Sequence, residues 1–188
     1  MRKEWRHAAL ALTISLLTSY SATAATIVHT EATHDNGRYT LSFEVVLDAK
    51  RSKVWRLMTD YEQLPRLSDV VTESHIVKSE GKDKHRLDIT FHACVLIFCK
   101  TMKKVVDIQA WPQSDIIIIG DPQLSDFSYS VERWRVSAEN SQTRLRYSAE
   151  MTPDFFIPPV IGPWLMKSFL QKEIMATALK VEEFAHRE

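Results

Sequence analysis

Glycine is scarce in this chain, at four of 188 residues, and cysteine scarcer still, at two. So few glycines build no glycine-rich phosphate loop, and no G-x-S-x-G turn is present, which removes common nucleotide-binding and hydrolase signatures. Excess charge of either sign is also missing, since 24 basic side chains meet 24 acidic ones. A nucleic-acid partner would require a strongly basic face, so that class is excluded. The seven histidines show no H-x-x-x-H spacing and no local cluster with carboxylates, so no metal site is expected. No nucleophile stands beside a base in a local motif, so the sequence assigns no catalytic residue and no cofactor. Internal repeats and low-complexity segments are absent, and after the first residues no run is long and apolar enough to cross a bilayer.

What is present begins with Arg2, Lys3 and Arg6, an apolar run over Ala8–Leu17, and the A-x-A site Ala22-Thr23-Ala24. This pattern reads as a secretory signal peptide over 1–24, with export across the inner membrane to the periplasm as the expectation. An uncleaved anchor is the alternative, but the apolar part is short for a span. Without the signal, 21 basic and 23 acidic side chains remain, a formal charge of −2. That length suits one domain with a real core. Cys94 and Cys99 form an even pair, which in an exported chain favours a disulfide over redox chemistry; two unpaired thiols are the alternative. A hairpin turning through the four residues between them would set the two Cα atoms about 5.5 Å apart, suited to a bridge.

Residues 25–37 are polar, end in the turn signal Asp35-Asn36-Gly37, and read as a flexible N-terminal segment. Over Arg38–Leu47 the apolar side chains alternate, as expected for a half-buried strand. Asp48 is placed to cap a helix over Ala49–Thr59, and a second short helix follows through Leu64-Pro65-Arg66-Leu67. Six strands are predicted next, over 70–79, 84–93, 100–111, 115–120, 127–138 and 143–152. Their short links imply an antiparallel meander. From Trp164 onward, Met166, Phe169, Leu170, Ile174, Ala178, Val181 and Ala185 recur at spacings of three and four, the stripe of a long helix. Pro163 suits its first turn. Such a helix, coming after so many strands, must lay its stripe on their sheet. The expectation is an α+β fold: a seven-stranded curved antiparallel sheet around a long C-terminal helix, in the order β-α-α-β-β-β-β-β-β-α.

Ala49-x-x-x-x-Val54-Trp55, Asp60-Tyr61-Glu62-x-Leu64-Pro65, the strand run, Trp134, Tyr147 and the terminal helix together resemble the START-like (SRPBCC) superfamily. This is the helix-grip fold of polyketide cyclase/dehydrase-type, coenzyme-Q-binding and pollen-allergen-type proteins. The resemblance covers about 38–186 and implies an apolar cavity between sheet and helix that binds lipids, polyketides, quinones or hormones. Its motifs are architectural, so fold alone does not choose among these functions.

Within that frame Phe91, Trp134, Tyr147, Met151, Phe169, Leu170 and Ile174 are the candidate ligand-binding residues. Trp134 and Tyr147 have polar tips on apolar bodies that could orient a head group. In a meander alternate turns share one end of the sheet, which brings together Val95, Leu96, Ile97 and Phe98 with Phe155, Phe156 and Ile157. Apolar residues are unusual in turns, so these seven read as a cavity rim that admits a hydrophobic ligand or touches a membrane; ordinary mutual burial is the competing explanation. The leading expectation is a module that holds a hydrophobic small molecule or lipid. Its rivals are a cyclase/dehydratase, which would require an ionisable cavity residue without a structural partner, and a protein-interaction domain with a filled interior.

Overall fold

The computed structural model describes residues 25–157 and 163–187; the predicted signal peptide and residues 158–162 lie outside them. Eight strands run through the chain: β1 (Thr26–Asp35), β2 (Arg38–Leu47), β3 (Val71–Ser79), β4 (Lys84–Val95), β5 (Phe98–Trp111), β6 (Asp115–Gly120), β7 (Phe127–Glu139) and β8 (Gln142–Pro153). Between β2 and β3 lie α1 (Arg51–Thr59), a 3₁₀ turn (Tyr61–Gln63) and α2 (Leu64–Leu67), and the chain closes with α3 (Pro163–Arg187). All pairings are antiparallel, in the sheet order β1-β2-β8-β7-β6-β5-β4-β3. The expected helix-grip α+β architecture is present, with one strand more than expected.

The extra strand is β1, which corrects the reading of 25–37 as a flexible segment. Asn36 (φ 47°) and Gly37 (φ 81°) both take left-handed backbone, the condition for a tight two-residue hairpin. The strand escaped notice because it is an edge strand, largely exposed, with no clean alternation of apolar side chains. A second correction concerns Asp48. Helix α1 starts at Arg51 with Lys50 as its N-cap and no side-chain cap. The Asp48 N–H instead donates to Glu182 Oε2 at 2.9 Å, which ties the end of β2 to α3. Nearby the Lys53 ammonium donates to the Ala185 carbonyl at 2.8 Å.

Two packed clusters share the inner face of the sheet. One joins Phe43, Val45, Leu47, Val54, Val136 and Leu145 to Ile174, Ala178, Val181 and Ala185 of α3. The other gathers Tyr61, Leu87, Ile89, Val106, Ile108, Ala110 and Ile116. The outer face carries ion pairs, among them Arg144 and Arg146 with Glu44, Arg133 with Asp115, and Lys103 with Asp88. Arg144 and Arg146 therefore point outward, as their parity on β8 implies. The two clusters meet at Trp55, Met58, Leu64 and Trp134, which pack against both. The space beside that seam is where the interior opens.

Candidate functional site: an apolar cavity with charged groups in its wall

A cavity of about 280 Å³ lies between the inner face of the sheet, α1, α2 and α3. That is near the lower end of the range, roughly 300–1,000 Å³, found for small-molecule sites. Phe43, Ile89, Phe91, Ile108, Ile116, Trp134 and Leu145 supply much of the sheet wall, and Ile174, Ala178 and Val181 line it from α3. Met58, Leu64 and Leu67 close it from α1 and α2. Alternation on each strand brings these side chains to one face, and the i, i+4, i+7 spacing of Ile174, Ala178 and Val181 does the same on the helix. Phe43, Trp134 and Tyr147 form an aromatic corner, with centroids 5.3 Å apart for Phe43–Trp134 and 4.6 Å for Trp134–Tyr147.

Lys104, Glu132 and Tyr147 interrupt this apolar wall. Lys104 on β5 is buried and forms an ion pair with Glu132 on β7. The Tyr147 hydroxyl on β8 donates to the other carboxylate oxygen of Glu132 at 2.6 Å. Burial alone would raise the Glu132 carboxyl, but the Lys104 ammonium beside it and the hydrogen bonds it accepts hold it below the usual glutamate range. Burial, then the neighbouring Glu132 charge, pushes the Tyr147 phenol well above its ordinary value. The phenol stays neutral and the pair stays charged. Each member is satisfied by another, the condition under which buried charge is tolerated.

Two further polar atoms of the lining are not satisfied. Glu173 Oε2 on α3 and the Tyr61 hydroxyl are buried without a hydrogen-bond partner among the described residues. Burial, with the Asp83 charge as a second cause, pushes the Tyr61 phenol up to about 12.

Of the predicted ligand-binding residues, Phe91, Trp134, Tyr147 and Ile174 line the cavity. Met151 does not. It shares the inward face of β8 but lies beyond the cavity, in register with Tyr39 and Ser130. Phe169 is half-buried and outside the lining; among the described residues of α3, those that line the cavity run from Glu173 to Val181. The side chains of Leu170 and Met166 lie outside the described residues. Lys104, Glu132, Glu173 and Tyr61 are polar or charged site residues that sequence reasoning missed. Parity was the signal for two of them: Lys104 alternates with Val106, Ile108 and Ala110, and Glu132 with Trp134 and Val136, so each charge sits on an inward face.

The expected rim is separate from the lining, since none of Val95, Leu96, Ile97, Phe98, Phe155, Phe156 and Ile157 borders the cavity. Strands β4 and β5 run on past it, and five residues of strand from Phe91 to Leu96 span roughly 16 Å. The turn holds two residues, not four: Val95 pairs with Phe98, and Cys94 faces Cys99 with Cα atoms 4.0 Å apart and a disulfide between them. Leu96 and Ile97 form its tip and are 75% and 88% exposed. Phe155 lies edge-on to Phe127, and the Lys100 ammonium sits 5.2 Å from the Phe155 ring, which brings the 153–157 segment beside β5. His92 hydrogen-bonds Thr101 Oγ1 through Nδ1 at 2.9 Å and approaches Cys94 Sγ at 3.6 Å through Nε2. This brings together a histidine and two cysteines that local spacing did not suggest. With the sulfurs bonded to each other, no thiolate is offered to a metal.

An antiparallel sheet gripping a long C-terminal helix around an apolar cavity defines the START-like (SRPBCC) helix-grip class. The chain belongs to the polyketide cyclase/dehydrase and lipid transport family, whose model matches residues 38–182. Among solved structures it is similar to a protein from Thermus thermophilus, at 18% identity over 79% of this chain and 97% of that one, with a TM-score of 0.62. It is also similar to the Zhui aromatase/cyclase from a Streptomyces species, at 13% identity over 80% and 94% of the two chains and a TM-score of 0.63. A START superfamily protein from Mycobacterium smegmatis matches at 16% identity over 79% and 97%, with a TM-score of 0.58. At such identities the likeness is one of fold. No curated protein matches the chain in sequence.

Proposed function

We propose that this protein is an exported carrier that holds one apolar small molecule between its sheet and α3, and that its exposed hairpin tip makes transient contact with a membrane. The observation that carries the reading is the cavity itself. A chain of this size can close its core, yet the inner face leaves about 280 Å³ open, walled by aliphatic and aromatic side chains. A protein-interaction domain would have no use for that space. Membership of a family described by lipid transport supports the same reading. The basic start, apolar run and A-x-A site support export, and the bared Leu96 and Ile97 support the membrane contact.

Binding of a fluorescent fatty acid or quinone analogue tests the carrier reading, with micromolar affinity as the expected result. Native mass spectrometry of protein taken from its own compartment should then show the mass of a co-purified apolar molecule. Failure of every apolar probe to bind would overturn the reading. One observation favours a cyclase/dehydratase instead: Glu173 is in the cavity lining and has a buried carboxylate oxygen without a partner among the described residues. Under that reading a ligand incubated with the protein would emerge with a changed structure or the mass of one water less. Under the carrier reading it returns intact.

A further inference from the structure

We propose that the ligand of this cavity is an apolar alcohol, whose hydroxyl donates a hydrogen bond to Oε2 of Glu173. The inference rests on the carrier reading and names the head group that reading leaves open. The cavity wall contains two kinds of polar group. In the Lys104–Glu132–Tyr147 set both oxygens of Glu132 already accept bonds, so that carboxylate is taken. Glu173 is different. The residue lines the cavity, and its Oε2 is buried with no partner among the described residues.

Leaving a buried acceptor unmatched forfeits its hydration without return, so a donor brought by a ligand recovers what folding lost. A carboxylate oxygen only accepts, which makes the site selective. A hydroxyl satisfies it, whereas a ketone or ether oxygen meets it lone pair to lone pair. A hydroxyl also adds no charge, while an ammonium head would have to shed a strongly held hydration shell to enter. Glu173 lies one residue before Ile174 and one turn before Thr177, both of which line the cavity, so a chain lying along α3 would bring its head there. The Tyr61 hydroxyl, buried and likewise unpartnered on another wall, donates as well as accepts and does not discriminate between heads. The Lys104 ammonium would favour an acceptor head instead, so a ketone is the competitor to set against the alcohol.

The test is calorimetric or dye-displacement titration of the protein with dodecanol, 2-dodecanone and dodecane. Wild type should bind dodecanol about tenfold more tightly than the ketone. Glu173→Leu should remove that preference while leaving dodecane affinity within about twofold, because only the unmatched acceptor is lost. Glu173→Gln, which both donates and accepts, should bind alcohol and ketone about equally and covers the case in which the leucine variant folds poorly. Wild type that binds ketone as tightly as alcohol, or a Glu173→Leu protein that keeps the preference, would overturn the assignment while leaving the carrier reading intact. If none of the three probes binds wild type, the carrier reading falls and this inference with it.

Discussion

Lys104 and Glu132 sit inside an apolar wall where neither charge would survive alone. Deleting one partner strands the other, so Lys104→Met should cost about 3–5 kcal/mol, measured as a lower urea midpoint at unchanged slope. Lys104→Met/Glu132→Leu removes both charges and should recover most of that loss, since buried pairs are often no better than packed apolar side chains. A double variant as unstable as the single one would show that the pair contributes more than mutual satisfaction. The pair also sets a pH dependence. Because the folded Glu132 carboxyl is held below its ordinary value of 4.5, its contribution is present above that pH and is lost as pH falls through the depressed folded value. Thermal melts between neutral and acidic pH should therefore fall more steeply for wild type than for the double variant. Tyr61 acts at the other extreme. Its raised phenol contributes fully below its ordinary pKa of 10.0, and that contribution is lost as pH rises toward about 12, so Tyr61→Phe should flatten the alkaline limb of the melting curve. At this scale the sequence was only partly legible. The inward parity of Lys104 and Glu132 could be counted on their strands, but their meeting depends on the register of β5, β6 and β7, which no local pattern reveals. Glu173 was invisible for a related reason, since a glutamate beside an apolar stripe looks like the edge of a solvated face.

Among the elements, those with strong periodicity were readable and those shaped by tertiary contact were not. Strands β2, β4, β5, β7 and β8 and helix α3 declare themselves by alternation or by three-and-four spacing, because each buries one face, whereas the edge strand β3 is largely exposed. Strand β1 has almost nothing to bury and gains its place by pairing with β2 through the hairpin at Asn36 and Gly37. The grip of α3 is testable at Ile174, which is buried against the sheet and lines the cavity. Ile174→Asp places an unpaired charge there and should cost several kcal/mol, seen as a lower melting temperature by circular dichroism. An unchanged melt would place α3 elsewhere. The β4–β5 hairpin makes a smaller contribution. Closing so short a ring through Cys94 and Cys99 stabilises the fold by about 2 kcal/mol in the loop-entropy account. Cys94→Ser/Cys99→Ser should therefore melt only slightly lower, and full thiol labelling of denatured wild type without reductant would disprove the bond.

Over the whole molecule the apolar cavity and the apolar tip are separate features, although both were expected at one mouth. The turns sit at a shared end of the sheet, as alternation requires, but β4 and β5 carry theirs beyond the last cavity-lining residues. Sequence parity says which end a turn occupies and nothing about how far a strand overshoots, so the tip was read as a rim. Separation makes two functions independently removable. Leu96→Asp/Ile97→Asp alters side chains that are almost wholly exposed, so folding and probe binding should be unchanged while binding to liposomes falls. Thr177→Phe puts a ring into the cavity from α3 and should lower probe affinity by about tenfold or more, with liposome binding intact. Co-sedimentation with liposomes and probe titration, run on both variants, give the four measurements needed. If the tip variant also lost the probe, ligand entry would pass through the hairpin, and cavity and tip would be one site after all. If it lost neither, the bare leucine and isoleucine would have no part in meeting a membrane.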